Sequence, residues 1–202
     1  MMQHVVHGFG PVWDEASQVL VLGSMPSPKS REQGFYYMHP RNRFWPVMAA
    51  VFGGDPGREP ATRAAFALNH HVALWDVLAS CDISGASDGS IRNPEPNDIS
   101  MILRGAPIRL VMTTGSKAGQ LYVKLVEPGL KRLGIDVEMM TVASTSPANA
   151  AKSLDDLVSI YRAAFARAGV LVAVHAATDA SAGGRSGAAE GKPTVENKKA
   201  RA

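Results

Sequence analysis

Val19-Leu20-Val21-Leu22, which ends at Gly23, is a continuous apolar run, and three more stretches rich in apolar residues look alike: residues 72–78, 108–113 and 137–142. Uninterrupted apolar runs of this length are the pattern of strands buried on both faces, as in a parallel sheet. Between them the apolar positions recur at helical spacing. Residues 44–52 and 61–68 predict two short helices, and residues 116–133 a longer one with an interruption at Pro128, whose nitrogen carries no hydrogen for the helical ladder. Ser153 predicts the cap of a last amphipathic helix reaching about residue 168, with Asp156 three positions on as the partner in a capping box. Strands alternating with helices predict an α/β fold: a central, mainly parallel four-stranded sheet covered by helices on both faces, in three layers.

With 202 residues, 46% of them hydrophobic and 19% charged, the chain suffices for one core but not for two comfortable domains. Residues 1–170 are expected to form that domain. After Gly169 the composition turns to Ala, Gly and Ser and periodicity is lost, so residues 171–202 read as a basic tail, disordered from about residue 180. The formal charge of +3 is accounted for by residues 183–202, where Arg185, Lys192, Lys198, Lys199 and Arg201 stand against Glu190 and Glu196. The body is formally neutral, so any nucleic-acid face on it has to be a local cluster.

The single cysteine, Cys81, cannot form an internal disulfide or supply the thiolates of an iron–sulfur or structural zinc site, which favours a reducing compartment. None of the six histidines belongs to a recognisable metal motif. Neither a metal nor a cofactor is expected. No run of eighteen apolar residues and no leader pattern is present, so a soluble, cytoplasmic monomer that works on no membrane is expected.

Open parallel sheets bind ligands beyond the carboxyl ends of their strands. Three loops qualify: residues 23–42, the stretch after Trp75-Asp76, and residues 144–149. The first is long, carries Phe35, Tyr36 and Tyr37, and is expected to be a structureless functional loop. Its Gly23, Lys29 and Ser30 fit the spacing of a phosphate-binding loop, which would make the protein a nucleotide hydrolase. Pro26 and Pro28, however, remove backbone donors that such a loop needs.

The same loop resembles a different family. Gly23-Ser24-Met25-Pro26-Ser27 is similar to the first motif of the uracil-DNA glycosylase superfamily, and Gly34-Phe35, His39-Pro40 and Asn42-Arg43-Phe44-Trp45 resemble the mismatch-specific uracil glycosylases. With Ser30-Arg31 and Phe35-Tyr36-Tyr37 included, the string looks closer to the hypoxanthine-DNA glycosylase branch. Residues 144–149, Ser-Thr-Ser-Pro-Ala-Asn, stand where the superfamily has its second motif. The likeness covers roughly residues 10–168.

That resemblance implies a glycosylase that flips a deaminated base out of DNA and hydrolyses its bond to the sugar. It departs from the mismatch-specific pattern at Met25, where those enzymes carry a water-activating asparagine. In the hypoxanthine branch the catalytic amide comes later in the loop, and the matching residue is Asn42. Asn42 also precedes a predicted helix, where an asparagine can serve simply as an ordinary cap. Tyr37 matches the aromatic that stacks on the extruded base, against the plain alternative of a core tyrosine. Ser24, Met25, His39, Trp75 and Asp76 are the other base-pocket candidates, although His39 also reads as a loop anchor and Asp76 as a buried carboxylate bonded to loop amides. Ser27, Lys29, Ser144 and Ser146 are candidates for contacting DNA, with Ala148 and Asn149 entering the duplex gap; small turn residues have the same composition for ordinary reasons. With no lysine in the matched motifs, hydrolysis without a Schiff base is expected. Whether the base is hypoxanthine or uracil, and whether the chain is instead a catalytically weak binder of lesions or abasic sites, stays open at this level.

Overall fold

A computed structural model of the chain describes residues 2–173. The greater part of the basic tail and His175 lie outside the described residues. Seven strands occur in the order β1 (Gln3–Val6), β2 (Val19–Gly23), β3 (Val72–Asp76), β4 (Leu78–Ile83), β5 (Arg92–Pro96), β6 (Leu110–Thr114) and β7 (Glu138–Val142). The helices are α1 (Pro28–Gln33), α2 (Phe44–Phe52), α3 (Pro60–Asn69), α4 (Ser100–Gly105), α5 (Ser116–Leu121), α6 (Glu127–Arg132) and α7 (Leu154–Arg167).

The four apolar runs form the parallel sheet, in the order β3-β2-β6-β7. Val19 pairs with Val72 on one side and with Leu110 on the other, so the strands end nearly level and their carboxyl ends share one rim. Every residue of β2, β3 and β6 is buried, as continuous apolar runs require, whereas edge strand β7 buries only Val142 fully. Helix α3 lies against β3, α5 against β6 and β7, and α7 against both α2 and β7. The α/β sandwich is as expected, down to the capping box of α7, where Asp156 N–H donates to Ser153 Oγ at 3.1 Å and the Asp156 carboxylate accepts from Ser153 N–H at 2.9 Å.

Three expectations need correction. The apolar run 72–78 is not one strand: β3 ends at Asp76, and after Val77 the chain enters β4, which belongs to a separate antiparallel sheet, β1-β4-β5. Nothing in an apolar run marks the point at which a strand changes partner. Residues 23–42 are not structureless, because Ser27 caps α1 by accepting from Ser30 N–H at 3.2 Å, Pro28 opens it, and Gly34 closes it in the left-handed region (φ 63°). The helix over 116–133 is interrupted ahead of Pro128 rather than at it, by a π-helical turn, Tyr122–Val126, that separates α5 from α6. Such a wider turn is one way to absorb the hydrogen bond that Pro128 cannot donate.

Candidate active site

The rim formed by β2, β3 and β6 opens into a cleft of about 110 Å³. Its floor is set by Gly23, the last residue of β2. A Cβ there would fall 2.3 Å from Asp76 Oδ1, so only glycine lets the neighbouring strand bring its terminal carboxylate this close. Asp76 Oδ2 is hydrogen bonded to His7 Nε2 at 2.9 Å, and the two side chains are only 3% (His7) and 6% (Asp76) exposed. Burial pushes the Asp76 carboxyl above its ordinary range, and the hydrogen bond from His7 pulls it partly back. Opposite, Ser24 Oγ donates to Asp88 Oδ1 at 2.7 Å. Asp88 belongs to an exposed turn, but its carboxylate tip reaches the cleft, and desolvation raises its pKa against the lowering effects of Ser24 and the Lys117 charge.

The chain leaves Gly23, makes α1 and returns along the cleft. Tyr36 is buried and donates its hydroxyl to Gly10 O at 2.9 Å, while Met38 N–H donates to Ser30 Oγ at 3.1 Å. Between them Tyr37 takes a left-handed backbone (φ 55°), a conformation that costs a bulky residue energy and is held here by its neighbours. The ring is stacked on Phe44, centroids 3.9 Å apart and planes 16° from parallel, and its hydroxyl is 3.4 Å from Thr114 Oγ1. Burial raises the Tyr37 phenol well above its usual value, so it stays protonated.

Asn42 stands at the entrance to α2. Its Oδ1 accepts from Phe44 N–H at 2.9 Å, a capping bond made from one position ahead of the N-cap residue Arg43, and the residue also lines the cleft. A carboxamide oxygen has a second lone pair and the nitrogen two hydrogens, so capping does not use up the group. Arg43 faces the other way: it donates to Ser146 O at 3.2 Å, to Asn149 O at 2.7 Å and to Lys152 O, and its own N–H bonds Thr145 O at 3.1 Å. The loop at the end of β7 is thereby fastened to the loop at the end of β2.

Of the residues singled out in the sequence, Ser24, Met25, Ser27, Tyr37, Asn42, Asp76, Ser144 and Ser146 line this one cleft. The others do not. Lys29 and His39 lie in a separate surface depression, where Lys29 pairs with Glu32 at 2.8 Å and His39 Nδ1 accepts from Arg41 N–H at 3.2 Å. Trp75 is buried in the core. Ala148 and Asn149 stand off from the cleft, and Asn149 Nδ2 donates to Ser144 O at 2.8 Å, bracing the serine turn. Sequence reading missed His7, Asp88, Thr114 and the Arg43 clamp, since each depends on contacts between distant segments; only the helix-entrance position of Arg43 was visible. Among the described residues no lysine lines the cleft, no set of three His, Cys, Asp or Glu is grouped to hold a metal, and no helix is long and apolar enough to cross a membrane.

An aromatic ring, a fixed carboxamide and a buried carboxylate around a cleft at the carboxyl ends of parallel strands is an arrangement for holding a flat heterocycle beside a positioned water. Residues 11–167 match the model of the uracil DNA glycosylase superfamily, and the chain belongs to that superfamily; it is a DNA N-glycosylase. It is 33% identical over 148 residues to the hypoxanthine DNA glycosylase of Methanosarcina barkeri (strain Fusaro / DSM 804), covering 72% of this chain and 90% of the relative. The hypoxanthine DNA glycosylase of Methanosarcina acetivorans is 32% identical over 142 residues, covering 69% and 87%. A solution NMR structure of a candidate uracil DNA glycosylase from Methanosarcina acetivorans superposes with a TM-score of 0.63 at 30% identity, covering 77% of this chain and 95% of that one.

Proposed function

We propose that the protein removes deaminated bases from DNA by hydrolysis, with hypoxanthine the preferred base and uracil the second. The observation that carries this reading is the meeting of Asn42, the Tyr37 ring and the Asp76 carboxylate in one cleft. The names of the Methanosarcina relatives favour hypoxanthine.

Deamination turns N1 of adenine, or N3 of cytosine, from a hydrogen-bond acceptor into an N–H donor. A carboxylate at Asp76 accepts from that N–H and leaves the undamaged base with two acceptors facing each other, a mismatch that binding sites reject strongly. The flipped base lies against Tyr37. The bond between the sugar C1′ and the base nitrogen breaks with its electron pair going to the base, the sugar turns cationic, and a water held by Asn42 adds to C1′. The proton lost by that water passes to the departing base or to solvent. An amide is a weak base, but a dissociative reaction asks mainly for position. Ser144 and Ser146, on the turn that Arg43 clamps, are suited to the phosphates beside the lesion, with Ser27 on the opposite lip. Lys29 and His39 serve the DNA surface outside the base cleft, Ala148 and Asn149 the gap left in the duplex, and Trp75 supports Asp76 from within the core. Among the described residues no lysine lines the cleft to form a Schiff base, and the product expected of this reading is an intact strand with an abasic site.

The test is single-turnover release of free base from DNA containing deoxyinosine, uracil or xanthine, with alkali used afterwards to reveal abasic sites. Fastest release from deoxyinosine, with no breakage before alkali, is expected. Tight binding without release of any base would favour instead a lesion binder, the reading that Met25 in the cleft would fit.

A further inference from the structure

His7 has no part in the chemistry described so far, and its surroundings are unusual. It follows β1, where its N–H bonds Ala79 O on β4 at 2.7 Å, and its ring lies edge-on to Phe9 at 4.6 Å between centroids. Nε2 is committed to Asp76 Oδ2, and Nδ1 is buried with no hydrogen-bond partner among the described residues.

That unpartnered nitrogen restricts where protons can sit. An imidazolium, or a neutral ring protonated on Nδ1, would bury an N–H with nothing to receive it, whereas a bare lone pair at Nδ1 loses less. The remaining form carries its hydrogen on Nε2 and donates it to Asp76 Oδ2. Oδ2 is then always an acceptor. Any proton that Asp76 takes up goes to Oδ1, the oxygen packed against Gly23 in the cleft wall.

We propose that His7 is a positioning residue that holds Asp76 as a hydrogen-bond acceptor for the N–H of a deaminated base, and so sets the selectivity of the cleft from behind its lining. The proposal rests on the base-reading role given to Asp76 above. Ionised Asp76 is the productive form, and its protonation at Oδ1 presents an O–H to the base N–H and abolishes the reading. Other groups facing Asp76 are Asp88, whose charge raises its pKa, and Tyr36 and Tyr37, both protonated because burial raises their phenols far above the ordinary range. Removing the Nε2–H donor removes the influence that opposes desolvation.

Two measurements test this. Nitrogen NMR of the free wild-type protein at neutral pH reports the His7 tautomer with no reference to activity. The neutral Nε2–H form is expected; an imidazolium or an Nδ1–H form overturns the proposal. Single-turnover rates against pH are then compared for wild type, His7→Phe, His7→Gln and Asp88→Asn on the base that wild type releases. The wild-type rate should fall as pH falls, along an acid limb that survives Asp88→Asn. His7→Phe should move that limb up by about one pH unit or more, and His7→Gln, which keeps an N–H donor, should return it most of the way. A rate that rises on acidification, a limb that disappears in Asp88→Asn, or a limb unmoved in folded His7→Phe overturns the proposal. If His7→Phe does not fold, the tautomer and the His7→Gln profile decide the matter. Failure of wild type to release any base would refute the glycosylase reading of this cleft and remains distinct from all these results.

Discussion

Arg43 Nη2 donates to the carbonyl of Asn149 at 2.7 Å, joining residues 106 positions apart. With its bonds to Ser146 O and Lys152 O, the one guanidinium gathers three carbonyls of the loop that follows β7. Arg43→Ala leaves those acceptors without this donor and should destabilise the protein by about 2 kcal/mol, in the range for hydrogen bonds to a charged group. Hydrogen exchange should quicken in residues 144–152 while the parallel sheet keeps its protection. Uniform loss of protection, or none, would show that the clamp does not act locally.

Asn42 bonds the entrance of α2 and is the residue proposed to hold the water, and substitutions can separate the two roles. Asn42→Ala should cost about 1 kcal/mol of stability through the lost cap and lower single-turnover excision at least roughly tenfold, the factor that about 1.4 kcal/mol of barrier represents. Asn42→Asp keeps an oxygen for Phe44 N–H and should recover the stability. A folded Asn42→Ala enzyme that excises at the wild-type rate would leave Asn42 a cap and nothing more.

Tyr37 is the ring proposed to meet the base, and Phe44 lies against that ring. Tyr37→Phe keeps the stack and loses only the contact at 3.4 Å to Thr114 Oγ1, so capture should change little. Tyr37→Ala should weaken binding of lesion DNA roughly tenfold or more, since base–aromatic stacking contributes about 1–3 kcal/mol. Equal affinities for the two variants, by fluorescence titration, would exclude stacking at this position.

Two aspartates should give opposite signs to the pH dependence of stability. Hydrogen bonds from Ser153 hold Asp156 below the ordinary carboxylate range, so its contribution is present above the unfolded value, about 3.9, and is lost as pH falls through the depressed folded value. The loss in Tm caused by Asp156→Asn should therefore be present at pH 6 and vanish near pH 2. Asp76 is shifted the other way by burial, so its contribution is present when it is protonated and is lost as pH rises through the raised folded value. Asp76→Asn should raise Tm most at pH 8, with the gain shrinking towards pH 4. Calorimetric melts across that range check both signs.

The parallel sheet was legible because strands buried on both faces admit few polar residues, and the runs at β2, β3, β6 and β7 contrast with their flanks. Strand β1 was not, since only Val5 of its four residues is buried, and β5 reads Arg-Asn-Pro-Glu-Pro, a composition fit for a sheet edge and little else. Helix α1 was signalled by Ser27-Pro28 ahead and Gly34 behind, but six residues rich in charge carry no apolar face to show a period. In the site, Asn42 and Tyr37 stood out through the pattern of one loop. The pairing of His7 with Asp76 spans 69 positions and is created by the antiparallel sheet, so it could not be seen before that sheet was.

The passage from β3 into β4 takes a single residue, Val77, and every polar backbone group near it is tied down. Val77 N–H bonds Gly23 O at 2.9 Å, Leu78 N–H bonds Ser24 O at 3.2 Å, and Asn97 donates from its side chain to Asp76 O and from its backbone N–H to Val77 O, each at 2.9 Å. The cleft thus lies on a seam between two sheets that has no slack. A hinge needs a few residues free to turn, so with these bonds in place the wall proposed to meet the base is an anvil rather than a jaw. Accommodation has to come from the DNA, and a lesion that already weakens its own pairing is the one that can supply it.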